Sequence, residues 1–354
     1  MEDKKSRLKK TIINLIIFVA LIALTFFFIF KDQDFSKILE ISFNSKFQYV
    51  LIGLGAMFLY FSAEAINIGR TLKALGAKSN FLRNLKYTLI GFFFSAITPA
   101  ATGGQPVEAY YMYRDKISLS HSSLALLIQL CSFQFVTISF GIISAIFNFD
   151  LLQSGLIYLL IFGTAVNFIG LVFFVIVIFC PKLSEVVIKL LIKFLKFIKV
   201  KNLDEKRQKF SEGLSSYKES AEYIKKHKVL VLKSILTTIV QILLYYSIPY
   251  WIYRALGFND FNLLQIISIQ AVLYSTVSGI PLPGSVGVSE GCFFGIFKNV
   301  FPEAIISSAM LLSRGVSFYF PIIISSIVVL IASVVDGKSP PDTMEQIELN
   351  EEVS

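Results

Sequence analysis

The 354 residues are 55% hydrophobic and only 16% charged, with 35 Phe, and their mean hydropathy is +0.69. An average soluble domain carries about 25% charged residues, so a soluble enzyme is excluded, and repeated apolar runs of spanning length make this an all-α polytopic membrane protein. The net charge of +9 would suit nucleic acid, but the basic residues sit between spans, which excludes that partner and points to an anionic lipid surface on the cytoplasmic side.

A basic leader, MEDKKSRLKK, precedes the first apolar run, residues 12–30. A signal peptide has an apolar core of about 7–15 residues and a small-residue cleavage site. This run is longer and KDQDFSK follows it, so a retained span is expected over 11–30. Full spans are also expected at 48–68, 118–147, 156–180, 229–254 and 303–335, about six in all. Two more apolar stretches, 87–114 and 262–300, are each interrupted by a Gly/Pro-rich loop.

With a cytoplasmic N-terminus, 26 of the 33 Lys and Arg lie inside and 5 outside, while Lys233 and Arg314 fall within spans. That bias supports this orientation. It holds only if each interrupted stretch returns to the side it came from, so both are expected to be re-entrant hairpins, 87–114 entering from the cytoplasm and 262–300 from outside. A twelve-residue arm, 87–98, would span about 18 Å, roughly half-way across a bilayer. Both termini are then cytoplasmic. In the basic segment 181–228, Lys189, Lys193 and Lys196 recur at helical spacing, which fits an amphipathic helix at the membrane surface or an extension of the preceding span. Phe210, Leu214, Tyr217, Ala221 and Ile224 form a second amphipathic stripe. The acidic tail, 336–354, is expected to be disordered.

The two loops read TPAATGGQPVE (98–108) and IPLPGSVGVSE (280–290). Each places Pro second and Glu eleventh, namely Pro99 with Glu108 and Pro281 with Glu290, and Pro106 and Pro283 add further breaks. Since the hairpins face opposite ways and their flanking spans correspond, the chain is expected to be an inverted repeat. Its halves are 48–147 and 229–335, with the span at 156–180 as linker. Non-helical backbone at mid-depth survives only inside protein or beside a wet cavity. A polar midplane cavity follows, in which half-helices beginning near Pro106 and Val286 present N–H groups and partial positive charge to an anion such as a phosphate. The competing reading is a pair of kinks that only aid packing.

Arg314 lies deep in the last span, where an unpaired charge costs at least about 2.5–3.5 kcal/mol. Glu290 is its expected partner, with Glu108 as second choice; a purely structural ion pair is the competing role. Pro321 is expected to kink that span. Glu64 and Arg70, six residues apart, are expected to pair at the interface. Glu108 and Glu290 fit three roles: complementing helix dipoles, holding a cationic head group, or exchanging protons. Cys131, Cys180 and Cys292 have no metal-site spacing. His121 and His227 lack the neighbours of a catalytic site, and there is no GxxxxGK[ST] motif. No cofactor, metal or catalytic residue is expected, and any driving force would come from a gradient, a partner or downhill flow.

TPAATGGQP followed by YYMYRD, IPLPGSVGVSEG, and SRGVSFYFP resemble the motifs of the lysylphosphatidylglycerol synthase transmembrane-region family. That family, also called flippase-like, includes the membrane half of the multiple peptide resistance factor. The resemblance covers about residues 10–335 and implies one transmembrane domain, 1–335, in a bacterial cell membrane. It implies movement of a phospholipid such as lysyl-phosphatidylglycerol across the bilayer, in a setting of antibiotic resistance. Gly103, Gly104, Pro281, Pro283, Gly284, Gly287, Glu290 and Arg314 match family motif positions. With Gln105 and Ser285, the glycines and Arg314 make the expected lipid-phosphate site, beside the carboxylates Glu108 and Glu290. Two positions depart from the family pattern: Gln105 stands where many relatives have Glu, and Pro283-Gly284-Ser285 replaces Pro-Gly-Gly. The soluble lysyl-transferring domain of full-length synthases is not found in this sequence, which ends eighteen residues after Asp336. The alternatives are a phosphatidylglycerol lysyltransferase, or a subunit of one, and an ion-coupled carrier of a small solute. A second copy of the chain and a separate lipid-synthesising enzyme are the candidate protein partners.

Overall fold

All regular structure among the described residues is helical, in a computed structural model that describes 43–148, 156–179, 225–335 and the isolated positions 36, 40, 41, 222 and 223. The expected first span, most of the basic segment 181–228 and the acidic tail lie outside the described residues. The helices are α1 (Phe47–Ala74), α2 (Phe81–Ile97), α3 (Gly104–Arg114), α4 (Leu119–Phe147), α5 (Leu156–Phe179) and α6 (Lys228–Tyr246). They continue as α7 (Ile248–Ala255), α8 (Leu263–Val277), α9 (Val288–Ile296), α10 (Glu303–Arg314) and α11 (Phe320–Val335). Five stretches among the described residues are long and apolar enough to cross a membrane: α1, α4, α5, α6 with α7, and α10 with α11.

Polar caps fix where several helices begin. Asn80 accepts the Arg83 amide at 2.9 Å ahead of α2, and Ser118 does the same for His121 ahead of α4. Asn262 and Gln265 form a reciprocal capping box on α8. The cap at Asn80 starts the first hairpin arm earlier than expected. Its 17 residues span about 25 Å rather than 18 Å. Arg83 and Lys86 made this turn look like loop, yet Asn84 is buried and bonded to Ser79, and Lys86 pairs with Asp115 at 3.0 Å. Burial alone would push the Asp115 carboxyl up, but hydrogen bonds from Tyr87 and Lys86 outweigh it and hold it below the ordinary carboxylate range.

Two prolines reshape spans. The expected single span 229–254 is two helices meeting at Ser247, because Pro249 has no N–H and its ring crowds the carbonyl four residues back. The Trp251 Nε1–H donates to Ser247 Oγ at 3.1 Å and secures the joint. In the last span Pro321 does not produce a simple kink. The turn before it, Gly315–Tyr319, widens to π geometry and closes with the Phe320 amide on the Gly315 carbonyl.

Packing ties early helices to late ones. The Asn67 Nδ2 of α1 donates to Ser234 O at 3.2 Å and Thr238 Oγ1 at 3.0 Å on α6. α2 lies against α11, and α8 lies against α4, so each hairpin's first arm rests on a late helix of the other half. α5 runs along α4 and α8 and leaves apolar side chains such as Tyr158, Ile161 and Ile169 exposed, as a lipid-facing helix does. Its contact with α8 is made backbone to backbone: a Cβ on Gly163 would strike the Ser275 carbonyl, and one on Gly279 would lie 2.7 Å from the Gly163 Cα.

The two interruptions have the same backbone. The Ala101 amide bonds the Thr98 carbonyl and the Thr102 amide bonds that of Pro99, each at 3.2 Å. In the second turn Ser285 bonds Leu282 at 3.0 Å and Val286 bonds Pro283 at 3.2 Å. In both, two consecutive residues are left-handed, with φ of 53° and 55° at Ala100 and Ala101 and of 58° and 49° at Gly284 and Ser285. The structural counterpart of Pro99 is therefore Pro283, not Pro281. A three-residue turn, Leu282 N–H to Ile280 O at 2.8 Å, takes up the extra chain around Pro281. An alanine in the left-handed region costs about 1–2 kcal/mol. Ala100→Gly is thus expected to raise stability by about 1 kcal/mol, read as a higher unfolding temperature in detergent.

Candidate functional site

The two turns touch each other, and the second also packs on α2. Ala96, Val286 and Phe318 are buried together at this junction, with Phe92, Ile97 and Tyr319 around them. The turns themselves are more open: Pro99–Thr102 are exposed and Pro283–Ser285 are half-buried.

Arg314 and Glu290 hold the second turn from within. Glu290 is the third residue of α9, and its Oε2 accepts the Gly287 amide at 2.7 Å, capping its own helix. Its Oε1 accepts Arg314 Nε at 2.8 Å and the Tyr319 hydroxyl at 3.2 Å. Arg314 Nη2 donates to the Gly284 carbonyl at 3.2 Å, and the guanidinium stacks 4.1 Å from the centre of the Phe318 ring. Both charges are buried, and each is matched by the other and by hydrogen bonds, which is what makes a buried pair tolerable. The π turn matters here. Arg314 and Phe318 would share a face of an ordinary helix, and the extra residue per turn brings Tyr319 alongside them.

The remaining expected site residues serve identifiable purposes. The Gly287 amide is taken by Glu290, so that donor of the expected anion cradle is already filled. Ser285 directs its hydroxyl to the Val277 carbonyl at 3.5 Å. Gly103 and Gly104 are not left-handed: Gly103 has φ −84° and Gly104 is the first residue of α3. They are small because the hairpin arms meet there. A Cβ on Gly103 would lie 2.7 Å from the Thr98 methyl, and one on Gly104 would lie 2.9 Å from the Gly91 carbonyl and strike Ser95. Gln105 is half-buried and Pro106 exposed. α3 carries no acidic residue in its first turn, so its N-terminus has no equivalent of Glu290.

Glu108 is not part of the Arg314 pair. It is 3% exposed and its Oε2 has no hydrogen-bond partner. It fills the space left by Gly91 on α2, where any Cβ would strike the carboxylate. The charged group acting on it is Glu64 of α1. Glu64 does not pair with Arg70, contrary to expectation. Its Oε2 accepts Gln241 Nε2 at 3.1 Å, and Gln241 Oε1 accepts Gln129 Nε2 at 3.2 Å. Arg70 turns instead to Asn67 Oδ1 at 2.7 Å and Thr237 Oγ1 at 2.9 Å. The Tyr60 phenol adjoins Glu64; its ring meets that of Tyr245, which in turn contacts Tyr246 and Tyr274, and Tyr245 also reaches the surroundings of Arg314. A polar seam, buried at Gln129, Gln241 and Tyr246 and half-buried elsewhere, therefore runs between the two carboxylate sites. Sequence reasoning missed it, although two glutamines within apolar spans were a signal.

Beside the second turn, Thr137, Thr164, Asn167, Ser275 and Ser278 line a closely packed seam between α4, α5 and α8. There Asn167 Nδ2 donates to Ser278 Oγ at 2.8 Å and Gly163 O at 2.7 Å.

A comparison with curated proteins finds no match. The family model described as lysylphosphatidylglycerol synthase TM region matches residues 12–325, a range that takes in both turns, the Arg314–Glu290 pair and the Glu64–Glu108 region. With membrane-length helices arranged around these groups, the chain belongs to the lysylphosphatidylglycerol synthase TM region family of membrane proteins.

Proposed function

We propose that this protein carries a phospholipid, such as lysyl-phosphatidylglycerol, across the bilayer as a flippase-type transporter. One observation carries the reading: two left-handed turns of identical hydrogen bonding, each interrupting an apolar stretch, meet each other beside a buried Arg–Glu pair. Backbone of this kind within a membrane marks a substrate path. The hairpins are re-entrant in this reading, 87–114 from the cytoplasm and 262–300 from outside, and both chain ends are cytoplasmic. The reciprocal packing of α2 on α11 and α8 on α4 supports the inverted repeat.

The chemistry follows from the ion pair. Nε and Nη2 of Arg314 are committed to Glu290 and Gly284. A lipid phosphate takes the remaining Nη1 edge, competing with Glu290, while the N-terminus of α3 adds partial positive charge. The head group passes along the turns, and the acyl chains stay in lipid beside α5.

The test is transport in proteoliposomes with tail-labelled phosphatidylglycerol and its lysyl ester, read by dithionite quenching. Wild type is expected to exchange both leaflets faster than protein-free vesicles. Arg314→Met with Glu290→Gln is expected to slow this about tenfold or more, because a charge-assisted contact of about 1.5–3 kcal/mol is gone. Undiminished transport in that folded variant overturns the scheme. New lysyl-lipid in extracts after expression of this chain alone would instead assign it synthesis.

A further inference from the structure

The Arg314–Glu290 pair leaves two further acidic groups without a role, Glu108 buried and Glu64 half-buried. Glu64 on α1 and Glu108 on α3 face one another's charge inside the helical body. Glu108 Oε2 is buried without a hydrogen-bond partner, and so is Gln129 Oε1, which belongs to the chain of amides ending on Glu64. Room for the Glu108 carboxyl exists because α2 has glycine at position 91.

Among the described residues, no Lys or Arg is bonded to either carboxylate. On α2, Lys86 and Tyr87 are bonded to Asp115. On α3, Arg114 stacks on Tyr110 and Tyr111, centred 5.8 and 5.3 Å away, and Tyr113 is the remaining titratable side chain. On α1, Arg70 is held by Asn67 and Thr237. α4 contributes only His121 and Cys131, and α11 has no titratable group in Phe320–Val335. Arg314 and Tyr319 are bound to Glu290. Glu64 has the Gln241 amide on its Oε2 and the Tyr60 phenol nearby, with Tyr245, Tyr246 and Tyr274 beyond Tyr60; Lys233 of α6 is exposed.

We infer that Glu64 and Glu108 hold one exchangeable proton between them, and that this proton is the ion whose movement drives lipid transport. A carboxylate as buried as Glu108, with no donor on its Oε2 and a second carboxylate in its neighbourhood, is strongly disfavoured, whereas one carboxyl and one carboxylate are not. The bare Oε2 of Glu108 is where a carboxyl proton resides. Sodium fits less well, because an amide nitrogen, itself a donor, already occupies Glu64 Oε2 and a hard cation wants several oxygens. In the transport step the proton leaves the carboxyl for water on the side to which the first hairpin opens, and the pair takes one up from water on the other side. No bond other than O–H is made or broken. The driving role rests on the transport reading above; the proton site does not.

Infrared difference spectra of the full chain in nanodiscs, recorded in sodium-free buffer, test the site. A protonated-carboxyl stretch is expected at neutral pH, shifted in D₂O, lost in Glu108→Gln, altered in Glu64→Gln and unchanged in the exposed control Glu303→Gln. Absence of that band at neutral pH, its persistence in both site variants, or its removal by sodium at fixed pH overturns the proton site. Proteoliposomes with an imposed pH gradient test the drive. Lipid movement should rise several-fold with the gradient in wild type and lose that dependence in Glu108→Gln. Movement indifferent to the gradient overturns the coupling and leaves transport standing. A normal carboxyl band with no lipid movement under any condition keeps the proton site and overturns the transport reading.

Discussion

Arg314→Ala alone is expected to destabilise the protein by about 3–5 kcal/mol, because it strands a buried carboxylate. Glu290 would keep only the Gly287 amide and the Tyr319 hydroxyl, and the Gly284 carbonyl would lose its donor. Removing both charges is a different experiment. In Arg314→Met with Glu290→Gln, the amide oxygen still accepts the Gly287 N–H and the Met fills the space over Phe318. Such neutral replacements of buried pairs leave stability within about 1–2 kcal/mol or improve it. The contrast is read from unfolding temperatures in one detergent: a large drop for the single variant and a small change for the double. Equal drops would mean that the charge itself does not hold the turn.

Gly284→Ala is expected to cost about 2–5 kcal/mol, combining a left-handed backbone penalty of about 1–2 with overpacking of about 1–3. The backbone term alone is bearable, since Ala100 adopts the same conformation in the first turn. The decisive obstacle is the Phe318 ring, which a Cβ on Gly284 would strike. That ring also carries the Arg314 guanidinium, so displacing it disturbs the ion pair and should reduce transport as well. Phe318→Leu in the same chain should recover about 1–3 kcal/mol of the loss. If the smaller side chain recovers nothing, the ring is not what requires glycine at 284.

The spans that can be compared were legible because membrane thickness imposes a length on apolar runs, and the pairing of Arg314 with Glu290 was legible because a lone deep charge is too costly. Local geometry was harder to read. The first arm starts at Phe81 because Asn80 caps it and Asp115 holds Lys86, contacts that a count of basic residues treats as loop. The joint at Pro249 and the π turn before Pro321 depend on which carbonyls each proline leaves open. Nothing in the letters of Ala100 and Ala101 announces a positive φ; it shows only beside Gly284 and Ser285. The glycine pair at 103–104 suggested a freely turning backbone, and its packing role needs Thr98, Ser95 and Gly91 in three dimensions. The Gln129–Gln241–Glu64 chain joins residues 112 and 177 positions apart, far beyond any periodic pattern.

The seat of α2 on α11 bears on biogenesis. More than two hundred residues separate the end of α2 from the start of α11, so the first hairpin leaves the ribosome long before its resting surface has been synthesised. Until translation ends, the nascent chain must shelter that hairpin in the insertion machinery or keep it at the membrane surface, and truncation within the last span would deprive an otherwise intact front half of its dock.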